Sequence, residues 1–259
     1  MSKIKYSIVS VCTYNYKDAF DFVIDSWLRS SAENIYIYTD TDKWKSDNDR
    51  VKIINIFNNS NDWVVNVGRK CKAIKHFINN FDKDNAVLFD IDCYIHKDVA
   101  DLFEKDFDLA ISRIEKGRML SSGVIFIKNN ERVRKFIDKW DKTQNKFFKY
   151  KKFTQKNRGA YDQKALHVIT YKAIDDKSVK ILPIGYTEYS FKVKNLDEWL
   201  KYANKKWSKK EVSKRLSEYK TKRAMIRRTK DVRVLHFYNN SYRDKNTVRT
   251  IFSLLEKKE

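Results

Sequence analysis

The chain has 259 residues and 42% hydrophobic content, enough for one large α/β domain or two small ones with a hydrophobic core. Its three cysteines are scattered without a CxxC pair, which argues against a disulfide framework or a zinc site and favours a reducing, cytosolic setting. The formal charge of +21 favours an anionic partner: a nucleotide, a nucleic acid, a phosphorylated glycan or a membrane surface.

The first hundred residues alternate between short apolar runs and helical periodicity. We predict strands at residues 6–12, 35–38, 51–57 and 86–91. Between them, apolar residues recur at helical spacing, first at Ala19, Val23 and Trp27 and later at Val67, Cys71, Ile74 and Ile78. This βαβ alternation predicts a mostly parallel sheet, and such sheets bind ligands beyond the carboxyl ends of their strands.

The second half is predicted to hold four further strands, at 108–112, 123–127, 179–184 and 232–238. The first two should be antiparallel because the link between them is short. One predicted helix faces inward with Val133, Phe136, Ile137 and Trp140, and another begins near residue 160. Residues 141–158 carry seven basic residues against one acid without a clear period, which predicts a mobile loop.

A strongly basic segment lies late in the chain. Residues 192–233 hold 16 Lys and Arg against 5 Asp and Glu, yet their apolar residues keep helical order. A capping-box pattern at Ser208–Glu211 predicts the start of a second helix within this segment. No Gly/Pro/Ser-rich linker separates it from the rest, so we expect a single domain over 1–259.

Membrane spanning and export are not indicated. No segment approaches the roughly 18 consecutive apolar residues of a transmembrane helix, and the first residues pass straight into a strand pattern without a cleavage site. We expect a cytoplasmic protein, with peripheral attachment to an anionic membrane surface as the alternative.

Two aspartates one residue apart follow the apolar run of the fourth predicted strand. Side chains at i and i+2 of a strand point the same way, so Asp90 and Asp92 are predicted to face one site. Like charges held that close are tolerated where solvent, a metal ion or a cationic ligand lies between them. The pair fits a divalent cation that bridges to a diphosphate, and it fits equally a turn in which Asp92 caps the stretch that follows.

Four segments in order cover most of the chain: VLFDIDCYI (87–95), LSSGVIFIKNN (120–130), GAYDQKAL (159–166) and VLHFYNN (234–240). Their order resembles that of GT-A-fold glycosyltransferases, closest to the family-eight-like and related small sugar transferases of bacteria and large viruses. The resemblance implies an α/β fold with a single GT-A-like nucleotide-diphospho-sugar transferase domain. This domain has a mixed, mostly parallel sheet flanked by helices, with the basic helical segment inserted late. Residues 1–100 would form its nucleotide-binding half and 101–259 its acceptor half.

The activity implied by the resemblance is metal-dependent transfer of a sugar, of the hexosyltransferase type, from a nucleotide-diphosphate sugar to an acceptor hydroxyl. Asp90 and Asp92 match the DxD pair that binds Mn²⁺ or Mg²⁺, and His236 matches a late histidine that ligates the metal in part of the superfamily. The sequence departs from the related pattern here, because His236 continues into Phe-Tyr-Asn-Asn where the family has Gly-Lys-Pro-Trp. A half-buried histidine hydrogen-bonded in the last strand is the other interpretation of His236.

The resemblance also implies which residues contact the donor. They follow the first two strands, lie on the helix before the DxD pair, or surround the SerSerGly and AspGln motifs: Thr13, Tyr14, Asn15, Asp40, Arg69, Lys72, Ser122, Gly123 and Gln163. Tyr14 can stack on the base, and Thr13 and Asp40 can hydrogen-bond to it. Gly123 lets the backbone approach a ligand closely. Ordinary loop residues and a solvated helix face are the alternative interpretation.

Asp162 is the candidate catalytic carboxylate. The resemblance implies a place near the reacting anomeric carbon, as the general base of an inverting enzyme or as a sugar-hydroxyl contact in a retaining one. Its other interpretation is the N-cap of the helix that begins there. Residues 144–158, just before it, are expected to close over the donor as a lid.

Two other classes remain open. Haloacid-dehalogenase-like phosphatases also carry Asp-x-Asp after an apolar strand, but usually on the first strand, whereas three predicted strands precede Asp90 here. A nucleic-acid binder is suggested by the charge and aromatics of 192–233. Nucleic-acid binding and sugar transfer together would describe an enzyme that adds sugar to modified DNA or RNA. The acceptor alternatives are therefore a glycan or another hydroxyl compound, a nucleic acid, or a glycan on an anionic membrane.

The late position of the basic segment predicts that it serves the acceptor. Changing Lys205, Lys206, Lys209 and Lys210 to Gln keeps helix propensity nearly constant. We expect the change to raise the KM for the acceptor and to leave donor binding unchanged, because donor contacts come from the early strand ends. Steady-state kinetics with each substrate varied in turn measures this. An equal loss of donor hydrolysis and transfer, or no change in low salt, contradicts it.

Overall fold

A computed structural model describes most of the chain. The described residues are 4–60, 63–81, 85–113, 120–149, 161–189, 191–193, 232–243, 245, 248–249 and 251–252. Nearly all of the basic segment 192–233, and residues 150–158 of the predicted loop and lid, lie outside these ranges.

Ten strands form within the described ranges. They are β1 (Ser7–Val11), β2 (Asn34–Thr39), β3 (Val51–Asn55), β4 (Asn85–Phe89), β5 (Cys93–Ile95), β6 (Leu109–Arg113), β7 (Leu120–Lys128), β8 (Ile181–Gly185), β9 (Phe191–Val193) and β10 (Val234–Phe237). The main strands coincide with the apolar runs, which confirms the predictions made from them.

Five α-helices are described: α1 (Lys17–Arg29), α2 (Trp63–Asn80), α3 (Glu131–Lys149), α4 (Tyr161–Asp175) and the short α5 (Tyr186–Tyr189). Short 3-10 helices lie at Tyr14–Tyr16, Ala100–Glu104 and Tyr238–Arg243. In the part of the chain that the structure describes, none of the helices combines the length and the apolar character needed to cross a bilayer.

The main sheet, as far as the chain is described, has seven strands in the order β3-β2-β1-β4-β7-β6-β8. Strands β1 to β4 are parallel, β7 is antiparallel to β4 and β6, and β8 is parallel to β6. This mixed, mostly parallel sheet with flanking helices confirms the predicted α/β architecture. Because β1, β2 and β4 are parallel, their carboxyl ends meet at one edge, where Thr13, Asp40 and Asp90 follow.

A smaller sheet lies beside this edge, with the order β5-β10-β9. Strand β10 is antiparallel to β5 and parallel to β9. In this register His236 lies opposite Cys93. The pairing therefore joins a late part of the chain to the residues directly after the DxD pair.

Helices cover both faces of the main sheet, so the side chains on both faces of a central strand such as β4 are buried. Val87 and Phe89 belong to the buried cluster that contains Trp27 of α1, whereas Leu88 belongs to the cluster that contains Trp140 of α3. Successive residues of a strand point to opposite faces, so a strand covered on both sides needs an unbroken apolar run. Each fully buried side chain of this size contributes about 2 to 3 kcal/mol.

The prediction of a mobile loop over 141–158 is wrong for its first part, because α3 continues to Lys149. Gln144 interrupts the apolar pattern but is fully buried. Its Nε2 donates a hydrogen bond to the carbonyl oxygen of Gly68 at 2.7 Å and so joins α3 to α2. A Cβ at residue 68 would lie 2.9 Å from the ring of Phe148, so a side chain there would require that ring to shift.

The indole of Trp27 joins α1 to the segment after the DxD pair, because its Nε1 donates a buried hydrogen bond to the carbonyl oxygen of Cys93 at 2.7 Å. Trp27→Phe removes this donor, and we expect the free energy of unfolding to fall by about 2 kcal/mol. Urea denaturation measures the change. Trp44→Phe is the matched control, since Trp44 is also buried and packs edge-on against Phe20. An equal loss of unfolding free energy in both variants would show that the Trp27–Cys93 hydrogen bond does not stabilise the fold beyond the burial of the ring.

Candidate functional site

Asp90, Asp92 and His236 meet where the two sheets join. The chain turns directly after β4, with the Cys93 N–H donating to the carbonyl oxygen of Asp90 at 3.0 Å. The N–H of Phe237 donates to the carbonyl oxygen of Asp92 at 2.9 Å and sets β10 beside this turn. His236 Nε2 then lies 3.1 Å from Asp92 Oδ1 and 3.6 Å from Asp90 Oδ2. The structure thus brings the two aspartates to one place through a turn, not through a continued strand.

Gly123 of β7 packs directly against the cluster formed by Asp90, Asp92 and His236. Its carbonyl oxygen accepts a hydrogen bond from the Asp90 N–H at 2.8 Å. A Cβ at residue 123 would lie 2.7 Å from Cε1 of His236 and 2.9 Å from Asp90 Oδ2, distances that atoms do not tolerate. Only glycine lets the imidazole and the carboxylate approach the strand this closely.

The donor atoms of the cluster fit a divalent cation. Asp92, Cys93 and His236 offer ligand atoms within 4.8 Å of one another, and Asp90 Oδ2 faces the same imidazole. Cys93 is the least suitable ligand, because burial raises the pKa of its thiol well above the ordinary value. Two carboxylates and an imidazole remain. This mixed oxygen and nitrogen set suits Mn²⁺ better than Mg²⁺, which prefers oxygen ligands.

Lys70 of α2 reaches the same site and was not predicted from the sequence. Its Nζ lies 2.5 Å from Asp90 Oδ1 and 3.6 Å from Asp162 Oδ2. Burial by itself lowers the pKa of Lys70, but the carboxylates of Asp90 and Asp162 raise it above its ordinary value, so the ammonium stays charged. The signal in the sequence is helical spacing, because Lys70 lies one turn before the buried Ile74.

Asp162 lies in the first turn of α4, almost completely buried. The hydroxyl of Ser122 donates to Asp162 Oδ2 at 2.7 Å, and Lys70 Nζ lies 3.5 Å from the same hydroxyl oxygen. Trp140 Nε1 donates to the carbonyl oxygen of Asp162 at 2.9 Å and fixes the start of the helix against α3. The Asp162 carboxylate is therefore linked to Asp90 through Lys70, which a role in helix capping alone does not require.

Asp40 and Arg69 form a buried ion pair at the end of β2. Arg69 Nη1 lies 3.1 Å from Asp40 Oδ2, with the two side chains only 5% and 2% exposed. The guanidinium also donates to the carbonyl oxygen of Asn58 and lies over the ring of Phe57 at 5.0 Å. Asp40 and Arg69 are therefore already paired with each other. A ligand that contacts either side chain would bind at the edge of this ion pair.

The loop after β1 places the other residues predicted to contact a nucleoside. Thr13 is 3% exposed, and within the described residues its Oγ1 has no hydrogen-bond partner. Tyr14 begins the adjacent 3-10 helix, and the placement of its side chain lies outside the described structure. Asn15 is exposed.

Two further predicted residues differ in their distance from the cluster. Gln163 is half-buried on α4 next to Asp162. Lys72 is exposed, two residues beyond Lys70 and thus on the opposite side of α2. The structure does not bring Lys72 to the carboxylates.

Two solved structures with a similar fold are of one glycosyltransferase. The crystal structure of the glycosyltransferase GlyE from Streptococcus pneumoniae TIGR4 matches with a TM-score of 0.58 and 16% identity, covering 91% of this chain and 55% of that chain. Its apo form matches with a TM-score of 0.56 and 17% identity, over the same shares of the two chains. The chain thus spans about half the length of these structures, and the likeness establishes the fold. No protein-family model and no curated protein matches the chain.

The close packing at Gly123 can be tested by stability. Gly123→Ala forces His236 and Asp90 to move, and we expect the free energy of unfolding to fall by about 2 kcal/mol. Gly185→Ala is the control, because the nearest atom to its Cβ would be Glu188 Cβ at 3.7 Å, and its effect should stay within about 0.5 kcal/mol. Denaturant titration measures both variants. Equal stability of the two would contradict the tight approach of the imidazole to β7.

Proposed function

We propose that this protein is a metal-dependent glycosyltransferase that moves a sugar from a nucleotide-diphosphate sugar to an acceptor hydroxyl. The observation that carries the proposal is the convergence of Asp90, Asp92 and His236 at the carboxyl end of β4. Ligands of open α/β sheets bind at this edge. The likeness of the fold to glycosyltransferase structures supports a transferase over a dehalogenase-like phosphatase.

The proposed metal ligands are Asp90, Asp92 and His236, holding Mn²⁺ or Mg²⁺. When bound, such a cation neutralises the charge that develops on the departing diphosphate. The chain fixes the ligands from both sides: the Gly123 carbonyl holds the backbone of Asp90, and the pairing of β10 with β5 holds His236. The ligand atoms therefore need little rearrangement when a donor and a cation bind.

The nucleoside part of the donor is proposed to bind beyond β1 and β2. The buried Thr13 hydroxyl, unpaired within the described structure, can hydrogen-bond to a base or a ribose. A buried polar group without a partner costs about 1 to 3 kcal/mol, so such a bond would stabilise the complex. Asp40 follows the neighbouring strand, and Tyr14 and Asn15 continue the loop.

Asp162 is proposed to act at the transferred sugar, with Ser122 and Gln163 beside it. A general base must reach the proton that it abstracts. Asp162 Oδ2 is instead engaged by the Ser122 hydroxyl and faces Lys70. This arrangement favours a carboxylate that orients a sugar hydroxyl over the general base of an inverting enzyme.

The acceptor is proposed to be a glycan or another hydroxyl compound. The basic segment 192–233 favours an anionic acceptor or an anionic surface near it, but this segment lies outside the described residues. Sugar addition to modified nucleic acid therefore stays a prediction from charge alone.

A screen of nucleotide sugars with MnCl₂ and with EDTA tests the proposal, with released nucleoside diphosphate as the readout. We expect one donor at least to be consumed only with the metal. Asp92→Asn should lower this turnover by about 100-fold while circular dichroism stays unchanged, because an amide is a weaker, uncharged ligand. Asp25→Asn, the same change at an exposed position of α1, is the control.

Two outcomes of this screen would contradict the proposal. Full activity of Asp92→Asn would remove the metal-site assignment. Hydrolysis of simple phosphate esters without consumption of any nucleotide sugar would favour a phosphatase.

A further inference from the structure

A lysine ammonium is built into the carboxylate cluster at the carboxyl end of β4. Lys70 Nζ contacts Asp90 Oδ1 at 2.5 Å and lies 3.6 Å from Asp162 Oδ2. The Lys70 side chain is 15% exposed and that of Asp162 is 2% exposed. Solvent and salt therefore screen these contacts little.

The two oxygens of the Asp90 carboxylate have different neighbours. Its Oδ1 contacts Lys70, whereas its Oδ2 faces His236 Nε2, where Asp92 Oδ1 also lies. A cation held by Asp90, Asp92 and His236 would thus lie next to the Lys70 ammonium. Two positive charges at such a range repel each other.

The charge of the site depends on this lysine. With ionised carboxylates and a neutral imidazole, Asp90, Asp92, Asp162 and Lys70 carry a net charge of −2, which one divalent cation would balance. Without Lys70 the net charge would be −3, and the buried Asp162 would lose its cationic contact.

We propose that Lys70 is a fixed counter-ion that tunes the site: it holds Asp90 and Asp162 in place in the metal-free protein and weakens the binding of a divalent cation. The inference rests on the metal site of the proposed function and concerns its affinity, not the transfer reaction. Loss of Lys70 should therefore have two opposite effects, a less stable metal-free protein and tighter cation binding. A lysine with a merely structural role would give the first effect alone.

Lys70→Met tests this with MnCl₂ as the probe. Isothermal titration calorimetry should show Mn²⁺ affinity higher by on the order of tenfold. The Tm of the metal-free variant should fall by about 5 °C or more. Mn²⁺ should raise the Tm of the variant by more than it raises that of the wild type, because tighter binding stabilises the folded state further.

Two variants serve as controls. Lys75→Met removes a lysine of the same helix that also contacts two carboxylates, those of Asp138 and Asp141, and it should leave Mn²⁺ affinity unchanged. Lys70→Arg keeps the positive charge and should restore Mn²⁺ affinity close to the wild-type value.

If Lys70→Met alone does not fold, the same substitution is tested in an Asp162→Asn background. In this background the buried carboxylate is replaced by an amide, and adding Lys70→Met returns the net charge of the site to the wild-type value. Mn²⁺ affinity should again be higher with Lys70→Met than without it. Unchanged or weaker Mn²⁺ binding overturns the inference and leaves the proposed transferase intact. No Mn²⁺ binding by the wild type or any variant overturns both the inference and the proposed metal site.

Discussion

Repulsion among aspartates at one edge of the sheet is the constraint on which the site depends. Asp90, Asp92 and Asp162 come from the end of β4, the turn after it and the start of α4. Two like charges 4 Å apart in a partly buried site repel by about 4 kcal/mol. The Lys70 ammonium contacts Asp90 and faces Asp162, so it offsets part of this repulsion, and His236 Nε2 lies 3.1 Å from Asp92 Oδ1. Much of the surrounding fold brings the side chains that contact these aspartates to the carboxyl end of β4.

The fold delivers these groups from distant parts of the chain. Strand β7 runs antiparallel beside β4 and places Gly123 under the imidazole, where a larger residue would not fit. The β5–β10 pair carries His236 to the turn, and Trp27 holds the backbone of that turn from the α1 side through the Cys93 carbonyl. Tertiary pairing thus arranges the side chains of the proposed cation site before any ligand binds.

Local patterns in the sequence suffice for the main strands, because each strand covered on both faces needs an unbroken apolar run. The turn after β4 that brings Asp90 and Asp92 together, and the short strands β5 and β9, have no such local signal. His236 could be linked to the aspartates only through the family resemblance, since its pairing with Cys93 has no local signal. Lys70 and Gln144 escaped prediction for a different physical reason. A polar residue on a buried helix face looks like a break in the apolar period until its tertiary partner is known.

The position of manganese in crystals grown with MnCl₂, located by anomalous scattering, tests the central claim most directly. We expect a peak within bonding distance of His236 Nε2 and of a carboxylate oxygen of Asp90 or Asp92, with the Lys70 ammonium beside Asp90 Oδ1. Manganese bound only elsewhere, or absent from a site in which these side chains keep their arrangement, would contradict a metal-assisted role for the cluster.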